Sequence, residues 1–148
     1  MKKKEQQMGF TVLEIVVFIL IVGIVGGIVG IQIGNYNANM ALDRAARQVL
    51  SDVRYAQEMA MSTNRGVDFN VRTDGYTLTW DDGSALQSTF GKGSVEVNLS
   101  DLNASISGTD ISFDREGLPS GSVTLTVTNN AGSRTITVNG NTGYSALN

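Results

Sequence analysis

One carboxylate at the head of a long apolar run constrains this chain more than any other feature. Residues 15–31 are all apolar or glycine, and Phe10-Thr11-Val12-Leu13-Glu14 precedes them directly. Together they reach the ~20 residues that a membrane-crossing helix needs. An ionisable group inside such a helix is expensive, so a chain that keeps Glu14 there is expected to use it. Lys2, Lys3 and Lys4 stand just before the run, and the next basic residue is Arg44. That asymmetry places Met1 on the cytoplasmic side and the rest outside. A secretory signal peptide would be cut after the run, at small residues such as Gly26, Gly27 or Gly30. The run is long for that, and the helical pattern continues past those glycines. A plain signal anchor with an incidental Glu14 is the competing reading.

Gly23, Gly27, Gly30 and Gly34 recur at steps of four and three and so share one helix face. Small residues let helices approach closely in a membrane, which makes this face a packing stripe for neighbouring helices. Equally, each glycine loosens the helix by about 1 kcal/mol relative to alanine. Both readings stay open.

Past Asn35 the pattern becomes amphipathic. Leu42, Ala45, Ala46, Val49, Leu50, Val53, Ala56 and Ala60 repeat at three- and four-residue steps, and Asp43, Arg44, Arg47, Gln48, Asp52, Arg54 and Glu58 occupy the other face. Such a stripe must lie on a partner surface, here the sheet that follows. Asp43/Arg47 and Arg54/Glu58 have the spacing of helical ion pairs. A stop signal follows in Ser62-Thr63-Asn64-Arg65-Gly66, with Asn64 or Gly66 free to take the left-handed conformation. The spacing predicts one nearly continuous helix from Phe10 to Met61, about 75 Å long.

Alternation of period two then takes over. Val67, Phe69 and Val71 form one strand, and Tyr76, Leu78 and Trp80 a second, joined at Asp74-Gly75. A third holds Val95, Val97 and Leu99. Shorter candidates are 86–90, 102–106 and 110–113. Val123, Leu125 and Val127 pair with 135–138 across Asn129-Asn130-Ala131-Gly132. The order is one long helix followed only by strands: an α+β fold with the helix packed on a C-terminal antiparallel sheet.

Composition removes most catalytic classes. The chain has no cysteine and no histidine, hence no thiol nucleophile, no thiolate or imidazole metal site and no disulfide. Asp81 with Asp82, and Asp114 with Glu116, are the carboxylate clusters. Neither has the regular ligand spacing of a calcium loop, and both read as solvated turns. Gly91-Lys92-Gly93 lacks the rest of a phosphate loop and reads as a turn. Asn98-Leu99-Ser100 and Asn103-Ala104-Ser105 fit a glycosylation sequon and read as chance matches. Trp80 and Tyr76 share a strand face and read as core. No cofactor is expected.

The short basic leader, Gly9-Phe10-Thr11-Val12-Leu13-Glu14 and the long apolar run resemble the processing and assembly signature of the type IV pilin superfamily. Phe113-Asp114-Arg115-Glu116-Gly117, the loop with Pro119 and Gly121, the terminal hairpin and Gly140-Asn141-Thr142-Gly143 resemble the GspH/FimT group of minor pilins and pseudopilins. The resemblance implies a prepilin peptidase that cuts between Gly9 and Phe10 and methylates the new amino terminus of Phe10. It implies that Glu14 pairs with the terminal amine of a neighbouring subunit during assembly, although the chain's own new terminus also lies one helical turn away. It further implies a pilin-like fold, with a leader at 1–9, a transmembrane assembly helix at 10–34, an amphipathic helix at 35–64 and a β-rich periplasmic domain at 65–148. The protein would be a single-pass subunit of the bacterial inner membrane. Its partners would be other pseudopilins or pilins and the inner-membrane assembly platform.

The function so implied is that of a non-catalytic minor pseudopilin of a type II secretion machine. The alternative is a FimT/FimU-like minor pilin that primes type IV pili. Many family members carry a proline within the membrane part of the helix; here the only proline is Pro119. Some FimT-like proteins bind DNA through basic residues near the C-terminus. Residues 139–148 here hold no Lys or Arg. Without the leader, which carries three Lys and one Glu, 11 − 3 = 8 basic and 14 − 1 = 13 acidic side chains remain, a net −5. No nucleic-acid partner is expected of so acidic a domain.

Overall fold

In a computed structural model the described residues are 11–87 and 95–148, without the side chains of 28–35. The expected helix start at Phe10, the Gly91-Lys92-Gly93 turn and the latter part of the 86–90 candidate lie outside them. Two compact units emerge, Met1–Tyr36 and Asn37–Asn148.

One helix, α1, covers Val12–Thr63. Its end is set by Asn64, in the left-handed conformation at φ 53°, with the Arg65 amide bonded back to the Ala60 carbonyl at 3.3 Å. Thr63 Oγ1 donates to the Met59 carbonyl at 2.6 Å. A short polar side chain tolerates this conformation, which is why asparagine can stand where glycine is commoner.

In the larger unit α1 buries Leu42, Ala45, Ala46, Val49, Val53, Ala56 and Ala60. Four of these seven are alanine, whose small side chains leave room for the sheets against this face. Against it lie two four-stranded antiparallel sheets. The first has the order β3 (Glu96–Asn98), β2 (Gly75–Trp80), β1 (Val67–Arg72), β5 (Ile111–Phe113). The second has the order β4 (Ser105–Ser107), β6 (Val123–Asn129), β7 (Gly132–Val138), β8 (Ser145–Leu147). β1 and β2 pair from Val67↔Trp80 to Arg72↔Gly75, and β6 and β7 from Val123↔Val138 to Asn129↔Gly132, so both expected hairpins form. Phe69, Tyr76, Leu78, Leu99, Ile111, Leu125 and Ile136 fill the core with the helix residues. Phe69 and Tyr76 stack at 4.5 Å between ring centroids.

Several expectations change. A second sheet takes part of the chain that the alternation pattern assigned to one. The third strand stops at Asn98, because the Leu99 amide turns to the Asp74 carbonyl at 2.8 Å and the Asn98 side chain accepts the Ser100 amide at 2.8 Å. The 102–106 candidate splits into a 3-10 turn, Ser100–Leu102, and β4, with left-handed Asn103 (φ 50°) between them. The ion pairs expected along the helix do not form. Asp43 takes Arg134 at 2.9 Å, and Arg54 takes the Ser145 carbonyl at 2.8 Å, so both helix residues are drawn to the second sheet.

Candidate assembly surface

The first turn of α1 is capped by its own sequence. Thr11 Oγ1 accepts the Glu14 backbone N–H at 3.3 Å, and the Thr11 carbonyl accepts the Ile15 N–H at 3.2 Å. Thr11-Val12-Leu13-Glu14 therefore has the spacing of a capping box, with Thr11 in the capping position. That signal was present in the sequence and explains why Thr precedes this helix. It also frees Glu14 from being needed as the cap. Glu14 is exposed, and among the described residues no cation pairs with it.

Every large apolar side chain from Val12 to Val25 is 49–80% exposed. An apolar surface of this extent marks an interaction site. Among the described residues no helix is long and apolar enough to cross a membrane. Gly23 and Gly27 face open space, with nothing within 4 Å of an added Cβ, so this chain by itself does not require glycine there. For Gly30 and Gly34 the packing question lies outside the described side chains, and Gly9 and Phe10 lie outside the described residues altogether.

Beyond Tyr36 the helix is held by polar contacts from the second sheet and its loops. Asn129 Nδ2 donates to the Ala38 carbonyl at 2.8 Å, and Arg134 Nε to Asp43 Oδ1 at 2.9 Å. Arg54 reaches the Ser145 carbonyl, and Gln57 Nε2 donates to the Gly117 carbonyl at 2.9 Å. These contacts carry the loops with left-handed Gly117 (φ +76°) and Gly143 (φ +69°) onto the helix. A Cβ on Gly117 would meet the Met61 and Gln57 side chains, and one on Gly143 would meet Gln57 and the Gly117 carbonyl. The 113–117 and 140–143 segments singled out in the sequence thus converge on one helix turn. Sequence reading missed Gln57, a lone polar residue whose partners are two loops far along the chain.

The carboxylate clusters serve turns. Asp82 accepts the Ser84 hydroxyl at 2.5 Å and the Ser84 amide at 2.9 Å, and it pairs with Arg65 at 2.9 Å. The Ser84 hydrogen bonds first, and Arg65 less, hold its carboxyl below the usual range. Asp114 Oδ1 accepts the amides of Glu116 and Leu118. Among the described residues no group of three potential ligands is placed to hold a metal ion. Tyr76 is fully buried, whereas Trp80 is half-buried and carries the Arg65 guanidinium 4.5 Å over its ring.

A helix half sunk in antiparallel sheets and half open and apolar defines a subunit of the pilin type. The chain belongs to the family described as Type II transport protein GspH, which it matches over residues 45–143. It is 30% identical over 141 residues to the "Pilin-like protein PilA1" of Thermus thermophilus, covering 86% of this chain and 88% of that one. It is 27% identical over 74 residues to the "Type II secretion system protein H" of Aeromonas hydrophila, covering 50% of this chain and 40% of that one. Its fold matches the crystal structure of the type IV minor pilin FimU of Pseudomonas aeruginosa with a TM-score of 0.58 at 16% identity, covering 76% of this chain and 92% of FimU.

Proposed function

We propose that this protein is a structural, non-catalytic minor pseudopilin of a type II secretion machine. The observation that carries the reading is the contrast along α1. From Leu42 to Ala60 its apolar stripe is covered by the chain's own sheets, and from Val12 to Val25 the apolar surface is exposed and waits for other molecules. In this reading prepilin peptidase removes residues 1–9 and methylates Phe10, and residues 10–34 hold the protein in the inner membrane with the β-rich domain in the periplasm. Glu14 then meets the amine of a neighbouring subunit, because two opposite charges recover their desolvation cost in a membrane only when they come together. Gly23, Gly27, Gly30 and Gly34 would give neighbouring helices close approach. The assembly platform of the inner membrane would extract the subunit into the filament.

A second reading, a minor pilin that primes type IV pili, is favoured by the near-complete coverage of the pilin-like relative and of FimU. Cross-linking in the native membrane decides between them. A probe at exposed Arg47, with captured partners identified by mass spectrometry, will retrieve pseudopilins and secretion-platform proteins if the first reading holds. Pilus subunits will appear instead if the second does. A chain that retains residues 1–9 and captures neither set overturns both.

A further inference from the structure

Residues 96–105 carry one five-residue pattern twice in succession. Glu96-Val97-Asn98-Leu99-Ser100 and Asp101-Leu102-Asn103-Ala104-Ser105 each read acid, apolar, asparagine, apolar, serine. Each is an Asn-x-Ser glycosylation sequon with a carboxylate two residues ahead of the asparagine. The fold treats the two copies differently. In the first, the carboxylate and the amide are both taken. Glu96 Oε1 accepts Arg72 Nη2 at 2.6 Å, and Asn98 Oδ1 accepts the Ser100 amide at 2.8 Å. Asn98 is also held in β3 opposite Gly75, so closely that a Cβ on Gly75 would meet the Val97 carbonyl and the Asn98 Cα. In the second copy the same groups are open. Asp101, Asn103 and Ser105 are exposed, and their side chains have no hydrogen bond or ion pair among the described residues. Asn103 stands in a left-handed bend (φ 50°, ψ 37°) between the 3-10 turn and β4. Beside it opens a cleft of about 460 Å³, lined by Asn37, Asn129 and Asn130 among others.

We propose that Asn103 is an N-glycosylation site, modified on the folded chain by a membrane-bound oligosaccharyltransferase, and that Asn98 is spared. The inference rests on the export of the β-rich domain argued above, which brings residues 96–105 to the side of the membrane where such a donor is used. The donor is a lipid-diphosphate-linked oligosaccharide. Asn103 Nδ2 forms the new bond to C1 of the first sugar. The bond from C1 to the phosphate oxygen breaks, and the lipid diphosphate leaves with its electron pair. One Nδ2 proton passes to a base of the transferase. Such an enzyme must bend the peptide around the asparagine and grip the residues beside it. Asp101 offers a carboxylate for a charge-assisted hydrogen bond, and Ser105 offers a hydroxyl. Asn103 is already bent, whereas bending Asn98 would break its pairing with Gly75. After transfer, the first sugar lies at the rim of the asparagine-lined cleft, where side-chain amides can both donate to and accept from its hydroxyls. As bare sequence both copies are chance matches; the open carboxylate, amide and hydroxyl of the second are what the fold adds.

The test is mass spectrometry of the full-length protein taken from its native membrane. Trypsin cuts after Lys92 and Arg115 and at no residue between them, so one peptide, 93–115, holds both sequons. It should carry the mass of an oligosaccharide, and fragmentation that keeps the glycan attached should place it on Asn103. Asn103→Gln should remove the added mass, and Asn98→Gln should leave it. Ser105→Ala should also remove it while keeping the left-handed asparagine, and Ser105→Thr should retain it. In pulse labelling, Asp101→Asn should slow the transfer about tenfold, the worth of one charge-assisted hydrogen bond. A glycan on Asn98 or on a serine hydroxyl, or one that survives Asn103→Gln, overturns the proposal. The same spectra report residues 1–9. An unmodified 93–115 peptide from protein that has lost residues 1–9 overturns the glycan and leaves the pseudopilin reading standing. An unmodified peptide from protein that keeps them overturns both.

Discussion

The Tyr76 hydroxyl donates to Asp52 Oδ2 at 2.5 Å and ties β2 of the first sheet to the half-buried flank of the helix. Tyr76 is otherwise fully buried and stacked on Phe69, and Asp52 also accepts Gln48 Nε2 at 2.8 Å. Burial first, and the Asp52 charge second, push the phenol far above its ordinary value. Above about pH 10 the unfolded chain therefore releases a proton that the native chain keeps. Stability from this group is complete below the unfolded value and declines as pH rises toward the folded one. Urea midpoints measured from pH 9 to 11.5 should fall, and Tyr76→Phe should flatten that slope. At neutral pH the same variant should lose about 1.5–3 kcal/mol, the worth of a hydrogen bond to a charged group. In an ultraviolet titration of the four tyrosines, one should resist ionisation until the protein unfolds.

Gln57 links two left-handed glycine loops to the helix, and the loops have no spare room. Gly117→Ala should cost about 1–3 kcal/mol from its positive φ alone, and more from contact with Met61. Gln57→Ala leaves the Gly117 carbonyl without its 2.9 Å donor and should cost about 1 kcal/mol. In the double variant the two losses should sum to less than their separate values, because both act on one contact. Thermal unfolding of the four proteins in a mutant cycle tests this, and strict additivity would contradict the shared node.

Much of this architecture was legible because it is periodic. The helix stripe at Leu42, Val49 and Val53 and the alternation in Val67-Asp68-Phe69 and Val123-Thr124-Leu125 state which faces are buried. The division into two sheets was not legible. It depends on Asn103 and Leu99 turning the chain, and neither leaves a periodic mark. β8 was also missed, since Tyr144-Ser145-Ala146-Leu147 carries little apolar alternation and is fixed by pairing with β7 and by the reach of Arg54. For the assembly surface, Glu14 stood out as a charge among apolar residues. The partners of Asp43 and Arg54 did not, because local spacing offered Arg47 and Glu58 while the tertiary fold supplied Arg134 and Ser145.

Arg134 and Asn129 grip the helix near its entry into the larger unit. The Arg134–Asp43 pair is roughly a third to a half exposed, so Arg134→Met should cost no more than about 1 kcal/mol and lose its effect in high salt. Asn129→Ala removes a donor to the Ala38 carbonyl, part-buried and free of this screening. Hydrogen exchange should show faster exchange at helix amides 38–43 in both variants, with the Asn129→Ala change insensitive to salt. Equal protection in the variants and the parent would mean that apolar packing of Leu42 alone holds this turn.

Glu14 and the glycine face separate folding from assembly. The Glu14 backbone, not its carboxylate, completes the Thr11 cap, so Glu14→Val should leave the helix start intact, whereas Thr11→Ala should weaken it by about 1 kcal/mol. Gly23 and Gly27 have open space around them, so Gly23→Leu and Gly27→Leu should leave the thermal stability of the larger unit unchanged. If small residues there admit neighbouring helices, both leucine variants should reach the membrane at parental levels and enter filaments poorly. Helix loosening predicts a different order: alanine and leucine would behave alike, because both restore helix propensity. Comparing Gly27→Ala with Gly27→Leu in sheared filament fractions therefore distinguishes the two. Loss with leucine and retention with alanine identifies packing, and equal behaviour of the two identifies flexibility.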